Sequence, residues 1–232
     1  MSVDDTVTRI KASFATLSTA GPPLAGPWHV SYSDPIDVTD EAALRTHVLS
    51  SPVTGDQGQP YPDEGYVPRF MLGNYELPAG VAKDLGMFRV HMPPVVPHGP
   101  DSTSFTLSLE GEGLANPARQ HARALVEGLA RAWQPDEISF ADRALRRLDG
   151  ARARQMVGPA LPSWGYVAWV SDQVSRGLER VDGATTERFG PGTLIVTDTW
   201  DPAQAARVWN DLLDSKRLRA VPQIQEQLPT FP

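Results

Sequence analysis

Val3, Val7, Ile10, Phe14 and Leu17 recur at alternating spacings of four and three residues, which predicts an amphipathic helix over residues 4–18. Asp4 and Asp5 fall at its amino end, where the helix dipole favours negative charge. Gly21-Pro22-Pro23 and Gly26-Pro27 then break the chain. Trp28–Tyr32 alternates well enough for a strand, and Thr39 or Asp40 can cap a short helix over Glu41–Ser50. Residues 51–68 carry Pro52, Gly55, Gly58, Pro60, Pro62, Gly65 and Pro68, so a long loop is expected there. Strands follow at Arg69–Leu77, Gly86–His91 and Ser104–Glu110. In the last of these Phe105, Leu107 and Leu109 alternate with Thr106, Ser108 and Glu110, the pattern of a half-buried antiparallel strand.

The second half opens on a predicted helix from Pro117 to Trp133. Asn116 supplies a cap, Pro117 has the φ angle of a first helical position, and Ala118, Ala122, Leu125 and Leu129 form the apolar stripe. Glu137–Phe140 reads as a short strand, and Asp142–Val157 as a helix ended or kinked near Gly150. Tyr166–Val170 and Leu194–Thr197 are rich in β-branched or aromatic residues and read as strands. A hairpin is expected around Phe189-Gly190-Pro191-Gly192. The last helix, Ala203–Leu213, is capped by Asp201, started by Pro202, and gathers Ala205, Val208, Trp209 and Leu212 on one face.

Strands come in clusters joined by turns, with helices between the clusters. That order implies an α+β fold, an antiparallel or mixed sheet with helices packed mainly on one face. The 232 residues suit a single compact domain, 1–232, divisible into sub-units 1–114 and 115–232. The segments Phe105–Trp133 and Leu194–Leu213 both run from strand to helix through an Asn/Asp-Pro-Ala start, so two related strand-helix halves are a further expectation.

Composition adds exclusions. No cysteine is present, so disulfides, thiolate metal sites and a cysteine nucleophile are ruled out together. No run approaches the ~18 apolar residues of a membrane span, and the acidic start Met1-Ser2-Val3-Asp4-Asp5 lacks the order of a secretory signal, so a cytoplasmic location is expected. Charge is uneven. Residues 1–114 hold 6 Lys/Arg and 14 Asp/Glu, a net of −8, whereas 115–232 hold 15 and 14, a net of +1, together the −7 of the whole chain. An acidic first half repels nucleic-acid phosphates and attracts a basic partner.

Catalytic motifs are sparse. Ser102, Ser104 and Ser163 have no nucleophile-elbow context. Gly111-Glu112-Gly113 places an acid where a phosphate cradle needs backbone and lysine, and reads as a turn. No cofactor motif is found. His91 and His98 flank a proline-rich connector with Asp101 after it, the one grouping that could hold a metal in a small hydrolase. Arg143, Arg146, Arg147, Arg152 and Arg154 are interleaved with Asp142 and Asp149 above a narrow apolar face of Leu145 and Leu148, which reads as a solvated basic helix. The six tryptophans read mostly as core wedges, with Trp164 and Trp200 placed to anchor a partner.

A helix ending in Trp133-x-Pro135-Asp136, then Gly165-Tyr166 leading a strand, then a glycine turn before Leu194-Ile195-Val196 and a final helix, resembles the immunity protein 52 family over residues 117–213. The resemblance implies a cytoplasmic antidote of bacterial polymorphic toxin or type VI secretion systems. Such a protein has no enzymatic activity and blocks a cognate toxin by binding it. It implies no individual functional residue. With the charge asymmetry, the expected partner is a basic, nuclease-like toxin, with no nucleic acid or membrane involved. The candidate interface is Asp56–Tyr66, where Asp56, Asp63 and Glu64 supply charge and Tyr61 and Tyr66 supply aromatic anchors. The alternatives are the His91/His98 hydrolase and a scaffold module of a secretion machine.

Overall fold

The computed structural model describes residues 2–31, 34–73, 85–91, 104–110, 112–153, 161–175, 177–222 and 231. The fold is α+β, with six helices and three antiparallel sheets among these residues. Its contacts divide into two compact units, Met1–His121 and Ala122–Pro232.

The first unit contains helices α1 (Val3–Thr19), α2 (Glu41–Leu49) and α3 (Glu112–Gln120). Its strands are β1 (Trp28–His29), β2 (Pro35–Ile36), β3 (Pro52–Thr54), β4 (Pro60–Tyr66), β5 (Arg69–Leu72), β6 (Leu85–His91) and β7 (Ser104–Glu110). Five of them form a sheet in the order β2-β1-β5-β6-β7, while β3 and β4 form a separate ribbon. Helix α1 starts in a reciprocal cap: Ser2 Oγ accepts from the Asp5 amide at 3.1 Å, and the Ser2 amide donates to Asp5 Oδ2 at 3.3 Å. Asp40 caps α2 through the amides of Ala42 and Ala43. The apolar stripe predicted for α1 is the buried one, and Phe14 is its centre. The Phe14 ring lies 5.0 Å from those of Trp28 and Phe70 and 5.5 Å from that of Phe88. Phe70 pairs directly with Phe88 across β5 and β6, and both rings are fully buried.

The second unit contains α4 (Ala122–Trp133), β8 (Glu137–Phe140), α5 (Arg143–Ala153), β9 (Val167–Ser171), β10 (Ala184–Phe189), β11 (Gly192–Thr197) and α6 (Pro202–Asp214), with strand order β10-β11-β9-β8. Strand β9 is buried along its whole length. Tyr166, Ala168 and Val170 join Ile195 in a core with Leu145 of α5 and Ala205, Val208, Trp209 and Leu212 of α6. Val167 and Trp169 alternate with them and are equally buried, and α4 packs on β8 and β9. At Gly192 a Cβ would overlap the Val170 carbonyl oxygen and the Trp169 ring, so only glycine lets β11 lie against β9 with that indole across it. Trp169 Nε1 donates to the Phe189 carbonyl at 2.9 Å, which ties the β10–β11 turn to the same spot.

Several expectations are corrected. The helix read as Pro117–Trp133 is two helices, α3 and α4, separated at His121 and assigned to different units. Pro117 lies inside α3 rather than at its start, and Gly113 is helical rather than a turn residue. Proline lacks the N–H of a continuous ladder and crowds the carbonyl one turn back, and the helix ends soon after it. Pro202, by contrast, does start α6 beside the Asp201 cap, so the shared Asn/Asp-Pro-Ala sequence marks two different structural positions. Residues 51–68 form the β3–β4 hairpin, not a loop. Of the strand expected at Trp28–Tyr32 the described residues form Trp28–His29, and of that at Arg69–Leu77 they form Arg69–Leu72, with Tyr32 and residues 74–77 outside the described residues; α5 runs through Gly150. Leu148 is exposed rather than part of a buried stripe with Leu145. Trp164 is buried, which leaves Trp200 as the exposed indole of that pair.

Replacing Phe14 by alanine removes the ring that touches three others and should cost about 3–5 kcal/mol. Urea denaturation followed by far-ultraviolet circular dichroism checks this, and Phe14→Leu should recover most of the loss.

Candidate functional site

The β3–β4 hairpin is built around Gly55 and Tyr61. The Gly55 amide donates to the Gln59 carbonyl at 2.9 Å, and the Gly58 amide to the Gly55 carbonyl at 2.8 Å, closing a tight turn that carries Asp56 at its exposed tip. Gly58 adopts φ +79°, in the left-handed region that a side chain disfavours. A Cβ on Gly55 would stand 2.7 Å from the Tyr61 ring, so the ring packs directly on bare backbone. Gln59 Nε2 donates to the Tyr61 hydroxyl at 2.6 Å and fixes its far end. Tyr61 nevertheless stays 38% exposed, one of four large hydrophobic residues on the surface among the described residues. An aromatic held in place yet open to solvent loses little conformational freedom when it docks.

Tyr66 sits at the other end of the ribbon, half-buried and opposite Pro52, while Val53 faces Tyr61. The register breaks between these pairs, so β4 makes an excursion in which Asp63 and Glu64 lie; their side chains fall outside those described. The hairpin thus brings Asp56 and Tyr61 to one turn and puts Tyr66 at its base. The sequence singles out Asp56, Tyr61 and Tyr66 as candidates but does not show that Gly55 and Gln59 position Tyr61. The Gly-x-x-Gly-Gln spacing before the tyrosine was the available signal. Proline hid the strands themselves, since Pro52, Pro60 and Pro62 argue against a central strand but are tolerated in a ribbon whose strands have free edges.

A second group of acids lies in the second unit, and its oxygens are used by the fold. Glu137 accepts from the Ser163 amide at 2.6 Å and its hydroxyl at 3.2 Å. Asp149 accepts from the Trp164 amide at 3.1 Å, and Asp142 caps α5 and accepts the Tyr166 hydroxyl at 3.0 Å. Asp136 accepts the Ser171 hydroxyl at 3.1 Å. Burial raises the Glu137 carboxyl above its ordinary 4.5, against the hydrogen bonds from Ser163, with Asp149 and Asp136 adding to the rise. Burial likewise raises Asp136 above 3.8. Glu137, Asp149 and Asp142 pin residues 163–166 to the sheet and α5, and Asp136 holds Ser171 at the end of β9.

His91 closes β6, but its side chain, His98 and Asp101 lie outside the described residues. Among those described, no group of three or more His, Asp or Glu side chains stands close enough to hold a metal. Of the basic set on α5, Arg143, Arg146 and Arg147 are exposed, Arg146 donating to the Ala141 carbonyl, and Arg152 and Arg154 fall outside the described side chains. Among the described residues no helix is long and apolar enough to cross a membrane.

Searches against protein-family models, curated proteins and solved structures returned no match.

The Glu137 environment gives a pH prediction with a definite sign. A carboxyl raised in the folded state contributes its stability fully below its unfolded value, near 4.5, and loses it as pH climbs through the folded value. The stability difference between wild type and Glu137→Gln should therefore fall as pH rises from about 4.5 toward 7. Urea midpoints measured across that range check it, and a difference that is flat or rises with pH contradicts the assignment.

Proposed function

We propose that this chain is a non-enzymatic immunity protein that acts in the cytoplasm by binding and neutralising a cognate bacterial toxin. The observation that carries the reading is the β3–β4 hairpin, which presents a braced, exposed Tyr61 beside the exposed Asp56. Exposed aromatics on a constrained turn suit protein recognition, because they add contact area at small entropic cost. The resemblance of the second half supplies the class of partner. The second unit runs α4, β8, α5, β9, β10, β11 and α6, and so contains the helix closing at Trp133, the strand after Tyr166, the glycine turn and the last helix on which the resemblance rests.

The first half is strongly acidic, and Asp56, Asp63 and Glu64 all belong to the hairpin segment, Asp56 at its tip and the other two within β4. A basic, nuclease-like toxin would be steered toward that field and held by Tyr61 and, at the base of the ribbon, Tyr66. Steering speeds encounter and weakens with salt, whereas the aromatic contact sets the lifetime of the complex.

Co-expression with the toxin encoded by the neighbouring gene is the direct test: rescue of growth and a one-to-one complex are expected, and failure of both rejects the proposal. Within such a complex, changing Asp56, Asp63 and Glu64 to lysine should slow association about tenfold or more at low salt, with the gap closing as salt is raised. Tyr61→Ala should instead speed dissociation, at a cost of about 1–2 kcal/mol. Stopped-flow and surface-binding kinetics separate the two effects.

A further inference from the structure

The register of the five-stranded sheet sets two arginines face to face. Arg69 on β5 pairs directly with Arg89 on β6, and both side chains are exposed. Directly opposed residues on antiparallel strands have Cα atoms only about 4.5–5.5 Å apart, and like charges there repel. Elsewhere in this unit cations have acid neighbours: Lys11 with Glu41 at 3.7 Å, Arg45 with Asp4, and Arg9 with the charge of Asp5. Among the described residues no carboxylate forms an ion pair with Arg69 or Arg89. Among the described residues, two like-charged guanidinium groups therefore face each other without a carboxylate partner.

Their surroundings narrow the class of ligand. One step along the same face Met71 opposes Met87, both half-buried, and Ser108 lies beyond Met87 on β7. This face is the reverse of the one whose Phe70 and Phe88 pack on Phe14. Arginine and methionine are residue types enriched at protein interfaces, and the thioether adapts to varied apolar partners. A polyphosphate has no apolar group to rest on Met71 and Met87.

We propose that the Arg69–Arg89 face of this sheet docks an acidic segment of a partner protein, its carboxylates taken by the two guanidinium forks and a neighbouring apolar side chain resting on Met71 and Met87. Planar guanidinium groups grip carboxylates through paired hydrogen bonds, and an anion between them relieves their repulsion. The site lies on β5 and β6 and takes the opposite charge from the hairpin, although β4 packs against β6, and the inference makes no use of the toxin reading.

The test uses the full chain and a fluorescently labelled peptide of alternating glutamate and leucine, read by anisotropy. Binding is expected to weaken at least tenfold in Arg69→Gln/Arg89→Gln, to weaken with salt, and to be lost when glutamine replaces glutamate in the peptide. Arg188→Gln, on β10 of the other unit, should leave it unchanged. Absence of binding, or equal binding by the double variant, overturns the proposal. So does equally tight binding of tripolyphosphate or a single-stranded oligonucleotide, which would mark an unselective anion patch. A second measurement guards against misfolding: relief of repulsion should leave the single variants at least as stable as wild type at low salt. A clear loss of stability would show that the arginines serve the fold instead.

Discussion

Strand β9 can be buried on both faces only because β11 comes close enough to lie beneath the Trp169 indole, and that approach is possible only at Gly192. The contact fixes three things at once. It seats the indole, whose N–H then reaches the Phe189 carbonyl; it sets the β9–β11 register; and it leaves Ala168 and Val170 turned toward Trp209 and Ile195. Trp209 in turn donates to the Gly165 carbonyl at 2.8 Å, so the loop that leads into β9 hangs on α6. Glu137, Asp149 and Asp142 complete this arrangement by accepting hydrogen bonds from Ser163, Trp164 and Tyr166.

Much of this was legible wherever local chemistry and tertiary packing agree. The α1 stripe, the Asp40 and Asp201 caps and the alternation of Ser104–Glu110 each encode their element directly. The misreadings have physical causes. Asn116-Pro117 has the chemistry of a helix start, yet α3 has already begun at Glu112, so a local signal was overridden. Strand β10 was passed over because Ala184-Thr185-Thr186-Glu187-Arg188 is polar, as suits an edge strand, where exposed charges discourage pairing with another chain. At the candidate site the sequence could offer Asp56 and Tyr61, but the packing of Tyr61 on Gly55 depends on the turn closing. The Arg69–Arg89 opposition lay further out of reach, since it exists only once the register of β5 and β6 is known.

The two surfaces of the first unit differ in how charge and apolar area are combined. On the hairpin, negative charge accompanies a braced aromatic; on the sheet, positive charge accompanies adaptable thioethers. Long-range attraction follows the net charge of the half, whereas a close contact is decided by the few groups within a Debye length, about 8–10 Å. An acidic unit can therefore draw in a basic molecule and still offer a local cationic grip to an acidic stretch.

The tryptophans are distributed unequally between the units. Trp28 is the one indole before His121, and Trp133, Trp164, Trp169, Trp200 and Trp209 all follow it. Intrinsic fluorescence of the whole chain is consequently an optical report on the second unit, with Trp200 the indole most open to a dissolved quencher. Emission alone would pass lightly over the first unit, even though both candidate interfaces lie there. Following that half by light calls for an added chromophore or for the aromatic circular dichroism of the Phe14, Trp28, Phe70 and Phe88 cluster.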